Sequence, residues 1–128
     1  MNLFSSKKRI LVVDDEQDIA SNIKLRLELE GYAVDMAFDG KQAVEKARAT
    51  KPNLIILDVM MPIVDGYEAC QLIKKDEKTK AIPIVMLTAL PHVEDAEKAF
   101  AAGANDFLNK PYSNERLLQK VKKWIEGQ

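Results

Sequence analysis

The chain reads as an α/β domain, a mostly parallel sheet wound by helices on both faces, and three observations predict it. Short continuous apolar runs rich in β-branched residues, "RILVV" (Arg9–Val13), "NLIIL" (Asn53–Leu57) and "IPIVML" (Ile82–Leu87), suit strands that are covered on both sides. Elsewhere apolar residues recur every four positions, as at Ile19, Ile23 and Leu27 and again at Leu117, Val121 and Ile125, which marks helices with one buried stripe. The two signals alternate along the chain, and parallel neighbouring strands need crossover helices between them.

Taken in order, Arg9–Val13 opens the sheet and the helix carrying Ile19 to Leu27 follows, closed near Gly31. Ala33–Ala37 is the second strand and Gly40–Ala49 the second helix. The third strand, Asn53–Leu57, leads through Asp65, a turn residue and N-cap, into a helix over Gly66–Lys75. The fourth strand, Ile82–Leu87, precedes a helix over Val93–Ala102 with Val93, Ala96 and Phe100 on one side. After Gly103 comes a fifth strand, Asp106–Leu108, and Ser113 is placed to cap the final helix. The 128 residues are expected to form one domain, 1–128, with a core over about 8–126 and no effector domain.

Composition excludes several classes. With 47% apolar and 30% charged residues the chain is ordinary for a folded globular protein, and a net charge of −1 gives no general attraction to nucleic acid or an acidic membrane. Cys70 is the only cysteine and His92 the only histidine, so neither an internal disulfide nor a Cys/His zinc site can form. No apolar run approaches a membrane span, and a cytoplasmic setting is expected.

Chemistry concentrates where the strands end, the edge at which open α/β sheets bind ligands. Asp14 and Asp15 follow the first strand, Asp58 the third, Thr88 the fourth, and Lys110 with Pro111 the fifth. Crowded carboxylates repel one another, and a hard divalent cation with oxygen ligands relieves that repulsion; Mg2+ is the natural candidate, with Mn2+ as a substitute. Thr88 and Lys110 suit the remaining oxygens of a phosphoryl group. A carboxylate can itself attack phosphorus once metal and lysine offset the incoming charge.

These residues resemble a known family. "LVVDDE", "LIILDVMMPIVDG", "MLTA" and "NDFLNKP" are similar to the signature segments of response-regulator receiver domains of two-component signalling, over about Arg9 to Ile125. The resemblance implies a flavodoxin-like fold with strand order 2-1-3-4-5. It also implies that Asp58 is the phosphoacceptor, that Asp14, Asp15, Asp58 and the backbone carbonyl of Met60 serve the metal, and that Thr88 and Lys110 contact the phosphoryl group. By the same resemblance the Lys110–Pro111 bond is cis, and Phe107 is the switch aromatic that turns inward as Thr88 moves. The implied partners are a histidine kinase or phosphotransfer protein and a downstream protein bound through the fourth helix, fifth strand and fifth helix. No direct nucleic-acid or membrane contact is expected, and the chain would be a monomer or a phosphorylation-dependent dimer.

Each residue also has a plainer reading. Single aspartates after strands are usually turn residues, Phe107 is core-like by default, and Cys70 and Trp124 lack partners for chemistry and should simply pack. His92 reads as a loop residue and Lys74 to Lys80 as a solvated helix end. Three other functions compete with the receiver. A Mg2+-dependent aspartyl phosphohydrolase would need an acid two residues beyond its nucleophile, where this chain has Met60. A flavin carrier would need a phosphate loop where "DDEQD" stands, and an unphosphorylated scaffold would keep the set of rim residues for no reason. Apolar Met60 and Leu90, two positions beyond Asp58 and Thr88, cannot orient a hydrolytic water, so autodephosphorylation should be slow.

Overall fold

The computed structural model describes residues 7–61, 65–88 and 93–127. Strands and helices alternate as β1 (Arg9–Val13), α1 (Gln17–Leu29), β2 (Ala33–Ala37), α2 (Gly40–Thr50), β3 (Leu54–Asp58), α3 (Gly66–Lys75), β4 (Ile84–Thr88), α4 (Val93–Ala101), β5 (Asp106–Asn109) and α5 (Asn114–Glu126). All pairings are parallel and the order is β2-β1-β3-β4-β5. This is the flavodoxin-like arrangement that the resemblance implied.

Residue parity explains how the sheet is covered twice. Leu11, Val13, Ile55, Leu57, Ile84 and Met86 project to the face lined by Ala43 and Ala47 of α2, Ala69, Cys70 and Ile73 of α3, and Ala99 of α4. Ile10, Val12, Leu54, Ile56, Val85 and Leu87 project the other way, onto Ile23 and Leu27 of α1 and Leu117, Val121 and Ile125 of α5. Successive strand residues therefore feed opposite cores, and the runs can stay apolar throughout.

Local chemistry sets the ends of the elements. Asp39, Asp65 and Ser113 each accept a bond from a backbone N–H in the first turn of α2, α3 and α5. Gly31 and Gly103 follow α1 and α4 with φ of 96° and 103°, a conformation that favours glycine.

Several boundaries and one face differ from the sequence reading. β3 and β4 each run one residue further, so Asp58 and Thr88 are the last residues of strands rather than the first of loops. Their neighbours hold them there, since Asp58 pairs with Leu87 and Thr88 with Asn109. β4 starts at Ile84 instead of Ile82, because Pro83 has no N–H for the ladder and Ile82 N donates to Thr79 O in the preceding turn. On α4 the buried position among the described side chains is Ala99, while Phe100, placed on the expected apolar stripe, is 50% exposed.

Candidate functional site

β1, β3, β4 and β5 end side by side, and the residues at or just beyond their ends build a rim. Asp14 is 1% exposed and its backbone N–H bonds to Ala37 O, which holds it against the neighbouring strand. Asp58 is 4% exposed and Thr88 3%, whereas Asp15 is open to solvent. Carboxylate oxygens of Asp14, Asp15 and Asp58 all lie within 4.8 Å of one another. Lys110 Nζ reaches the same place and donates to Asp58 Oδ1 at 3.0 Å. The Lys110–Pro111 peptide bond is cis.

Asp14 shows what the rim lacks among the described residues. Its Oδ1 accepts from Glu16 N at 2.9 Å, but its buried Oδ2 has no partner among the described residues. Burial, and then the charges of Asp58 and Asp15 against the pull of Glu16 N and Lys110, push its carboxyl up to about 6. An orphaned buried oxygen beside two more carboxylates, with no histidine or cysteine ligand in the cluster among the described residues, fits a hard cation such as Mg2+. Met60 is 70% exposed just beyond Asp58, where its carbonyl adjoins the acids in sequence. Tyr112 lies near enough for Asp14 and Asp58 to hold its phenol above the ordinary value, after burial as the larger cause.

The threonine hydroxyl is engaged at the rim: Thr88 Oγ1 donates to Asn109 Oδ1 at 3.0 Å. Phe107 is half-buried in the core on that side of the sheet and meets Phe100 of α4 edge-on, with ring centroids 5.8 Å apart and planes at 79°. The structure thus brings together Asp14, Asp15, Asp58, Thr88 and Lys110, with Phe107 on the adjoining strand. Leu90 and His92 lie outside the described residues.

Three residues escaped the sequence reading. A Cβ on Gly66 would collide with the carbonyl oxygen of Asp58 and lie 2.7 Å from Val59 Cα, so glycine here lets α3 start against the strand that carries Asp58. Asn109 bonds Thr88, and a signal existed, since each directly follows an expected strand, Ile82–Leu87 and Asp106–Leu108. Asp106 gathers Lys120, Trp124 and its neighbour's N–H, described below; Trp124 therefore has a polar partner that the plainer reading denied it. Cys70 keeps its packing role, buried and with its thiol pushed up to about 11 by burial. Lys74, read as solvated, instead folds back to donate to Ile82 O at 2.6 Å.

Comparison with known proteins decides the family. The model of the response regulator receiver domain matches residues 10–122. The chain belongs to the response regulator receiver family. This receiver is 42% identical over 114 residues to the DNA-binding dual master transcriptional regulator RpaA of Synechocystis sp., covering 89% of this chain and 47% of that protein. It spans about half the length of the curated relatives it matches. Among solved structures, the chemotaxis protein CheY4 of Vibrio cholerae superposes with a TM-score of 0.88 at 33% identity, over 93% of this chain and 99% of that one. The receiver domain of a sensor histidine kinase from Pseudomonas aeruginosa PAO1, described with a magnesium ion coordinated in its active-site cleft, superposes with a TM-score of 0.87 at 34% identity, over 94% and 99%. No described helix of this receiver is long and apolar enough to cross a membrane.

Proposed function

We propose that this receiver takes a phosphoryl group from a histidine kinase or phosphotransfer protein onto Asp58 and thereby changes its surface for a downstream partner. The observation that carries the reading is the pairing of Lys110 Nζ with Asp58 Oδ1 at 3.0 Å beside the unpartnered Oδ2 of Asp14. A nucleophilic carboxylate, its cation and a vacant oxygen ligand share one rim. In the transfer, an Asp58 carboxylate oxygen bonds to phosphorus as the donor's P–N bond breaks, and the departing imidazole takes up a proton. Asp14, Asp15, Asp58 and the Met60 carbonyl would hold Mg2+, or Mn2+ in its place, whose charge offsets that of the phosphoryl oxygens.

Lys110 follows the negative charge from Asp58 to a phosphoryl oxygen, while the Thr88 hydroxyl donates to another. Movement of Thr88 vacates space that Phe107 fills, and the surface of α4, β5 and α5 shifts between two packings. Exposed Phe100, in contact with Phe107, lies on that surface. Lys110→Ala should spare metal binding and weaken the coupling of phosphorylation to the surface change.

The test is incubation with acetyl phosphate and Mg2+, read by intact mass. A single phosphoryl adduct on the wild type and none on Asp58→Asn is expected. An adduct on Asp58→Asn, or steady turnover of many phosphate esters without an adduct, would contradict the reading, the latter in favour of a phosphohydrolase.

A further inference from the structure

Asn109 has no part in the transfer just described, yet it holds the one proton that Thr88 needs. The Thr88 hydroxyl is buried and donates to Asn109 Oδ1 at 3.0 Å, and the two residues are direct partners across the β4·β5 ladder. A hydroxyl has a single proton to give, so Thr88 cannot donate to a phosphoryl oxygen while Asn109 accepts from it. The backbone tightens the same pairing, because Lys110 N donates to Thr88 O at 2.7 Å.

Parity places this bond on the switching side. Ile84 and Met86 belong to the core under α2, α3 and α4, and Thr88 follows them at the same spacing of two. On β5, Asp106 and Leu108 are the buried positions and Phe107 and Asn109 the half-buried ones, so Phe107 and Asn109 share a face. Release of Thr88 and rotation of Phe107 would happen side by side.

We propose that Asn109 is a latch: by accepting from Thr88 it holds the unphosphorylated packing and sets the fraction of molecules ready for a phosphoryl group. The inference rests on the reading of Asp58 as phosphoacceptor. A charged phosphoryl oxygen is the stronger acceptor and wins the proton on phosphorylation; before that, the amide oxygen keeps it. Asn109 acts through Thr88 and is a positioning residue.

Equilibrium binding of beryllofluoride with Mg2+ tests the latch in wild type, Asn109→Ala, Asn109→Val, Thr88→Ala and the Thr88→Ala, Asn109→Ala double variant. Loss of one neutral hydrogen bond that only the resting state makes should tighten binding by about fivefold in both Asn109 variants. Asn109→Val keeps a strand-forming side chain, and thermal melting of each variant checks that it folds. With Thr88 already truncated, removal of Asn109 should change nothing, an outcome that a general loosening of β5 would not give. Unchanged or weaker binding in the single variants, or equal tightening in the Thr88→Ala background, overturns the latch alone. Failure of the wild type to bind beryllofluoride overturns the phosphoacceptor reading and the latch with it.

Discussion

Asp14 and Asp106 are both carboxylates taken almost wholly out of water, 1% and 7% exposed, and the chain treats them in opposite ways. Asp106 opens β5 at the far end from the rim. Burial alone would raise its carboxyl, but bonds from Trp124 Nε1 at 2.9 Å, Lys120 Nζ at 3.0 Å and Phe107 N at 2.8 Å outweigh burial and hold it below the ordinary value. Asp14 has one oxygen bonded and the other orphaned, and its carboxyl is pushed up to about 6. The difference separates structure from function. An acid that its own chain satisfies fastens elements together, here β5 to α5, whereas an acid left short of partners among the described residues is a candidate ligand for something outside the chain.

The sharpest break in this comparison comes from crowding the rim itself. Gly66→Ala should destabilise the fold by about 3 kcal/mol in urea melts, since the added methyl meets the backbone of Asp58 and Val59 and neither can give way. Next is Asp106→Ala, which removes the acceptor of the bonds from Trp124 Nε1 and Lys120 Nζ and should cost about 2 kcal/mol. The only tryptophan would report that loss directly as a change in its fluorescence.

Asp14→Asn should act in the opposite direction, stabilising the metal-free protein at pH 7 by about 1 to 2 kcal/mol once solvent screening is allowed for. The folded-state value lies above the unfolded one, so the folded chain binds more protons between them. Wild-type stability therefore falls as pH rises from about 4 through about 6, and the Asn variant should lack that decline. Urea melts across this range without metal would show two parallel curves if Asp14 were not the cause. The smallest effect concerns lifetime: Met60→Asn with Leu90→Glu should speed loss of phosphate by about tenfold, or 1.4 kcal/mol of barrier, and equal decay would remove these side chains from the account.

What the sequence disclosed depended on whether the signal was local. Arg9–Val13 and Ala33–Ala37 were legible to the residue because their apolar runs and flanking turns bound them. The ends of β3 and β4 were not, since Asp58 and Thr88 remain in the ladder through partners on adjacent strands. The rim acids, Thr88 and Lys110 could be read together because the carboxyl ends of parallel strands gather at one edge. Asp106 could not, as its partners Lys120 and Trp124 lie a helix away and only the packing of α5 brings them round. Phe100 misled for a related reason: four-residue spacing finds a stripe without saying that α4 turns Ala99 inward.

The most direct test of the account locates the phosphoryl group. Protein phosphorylated with acetyl phosphate and Mg2+ is reduced with borohydride, which converts an aspartyl phosphate to homoserine, and is then digested and mapped by peptide mass. The account predicts reduction at Asp58 and nowhere else, lost in Asp58→Asn. Reduction at Asp14 or Asp15, or phosphate that survives borohydride on a hydroxyl side chain, would contradict it.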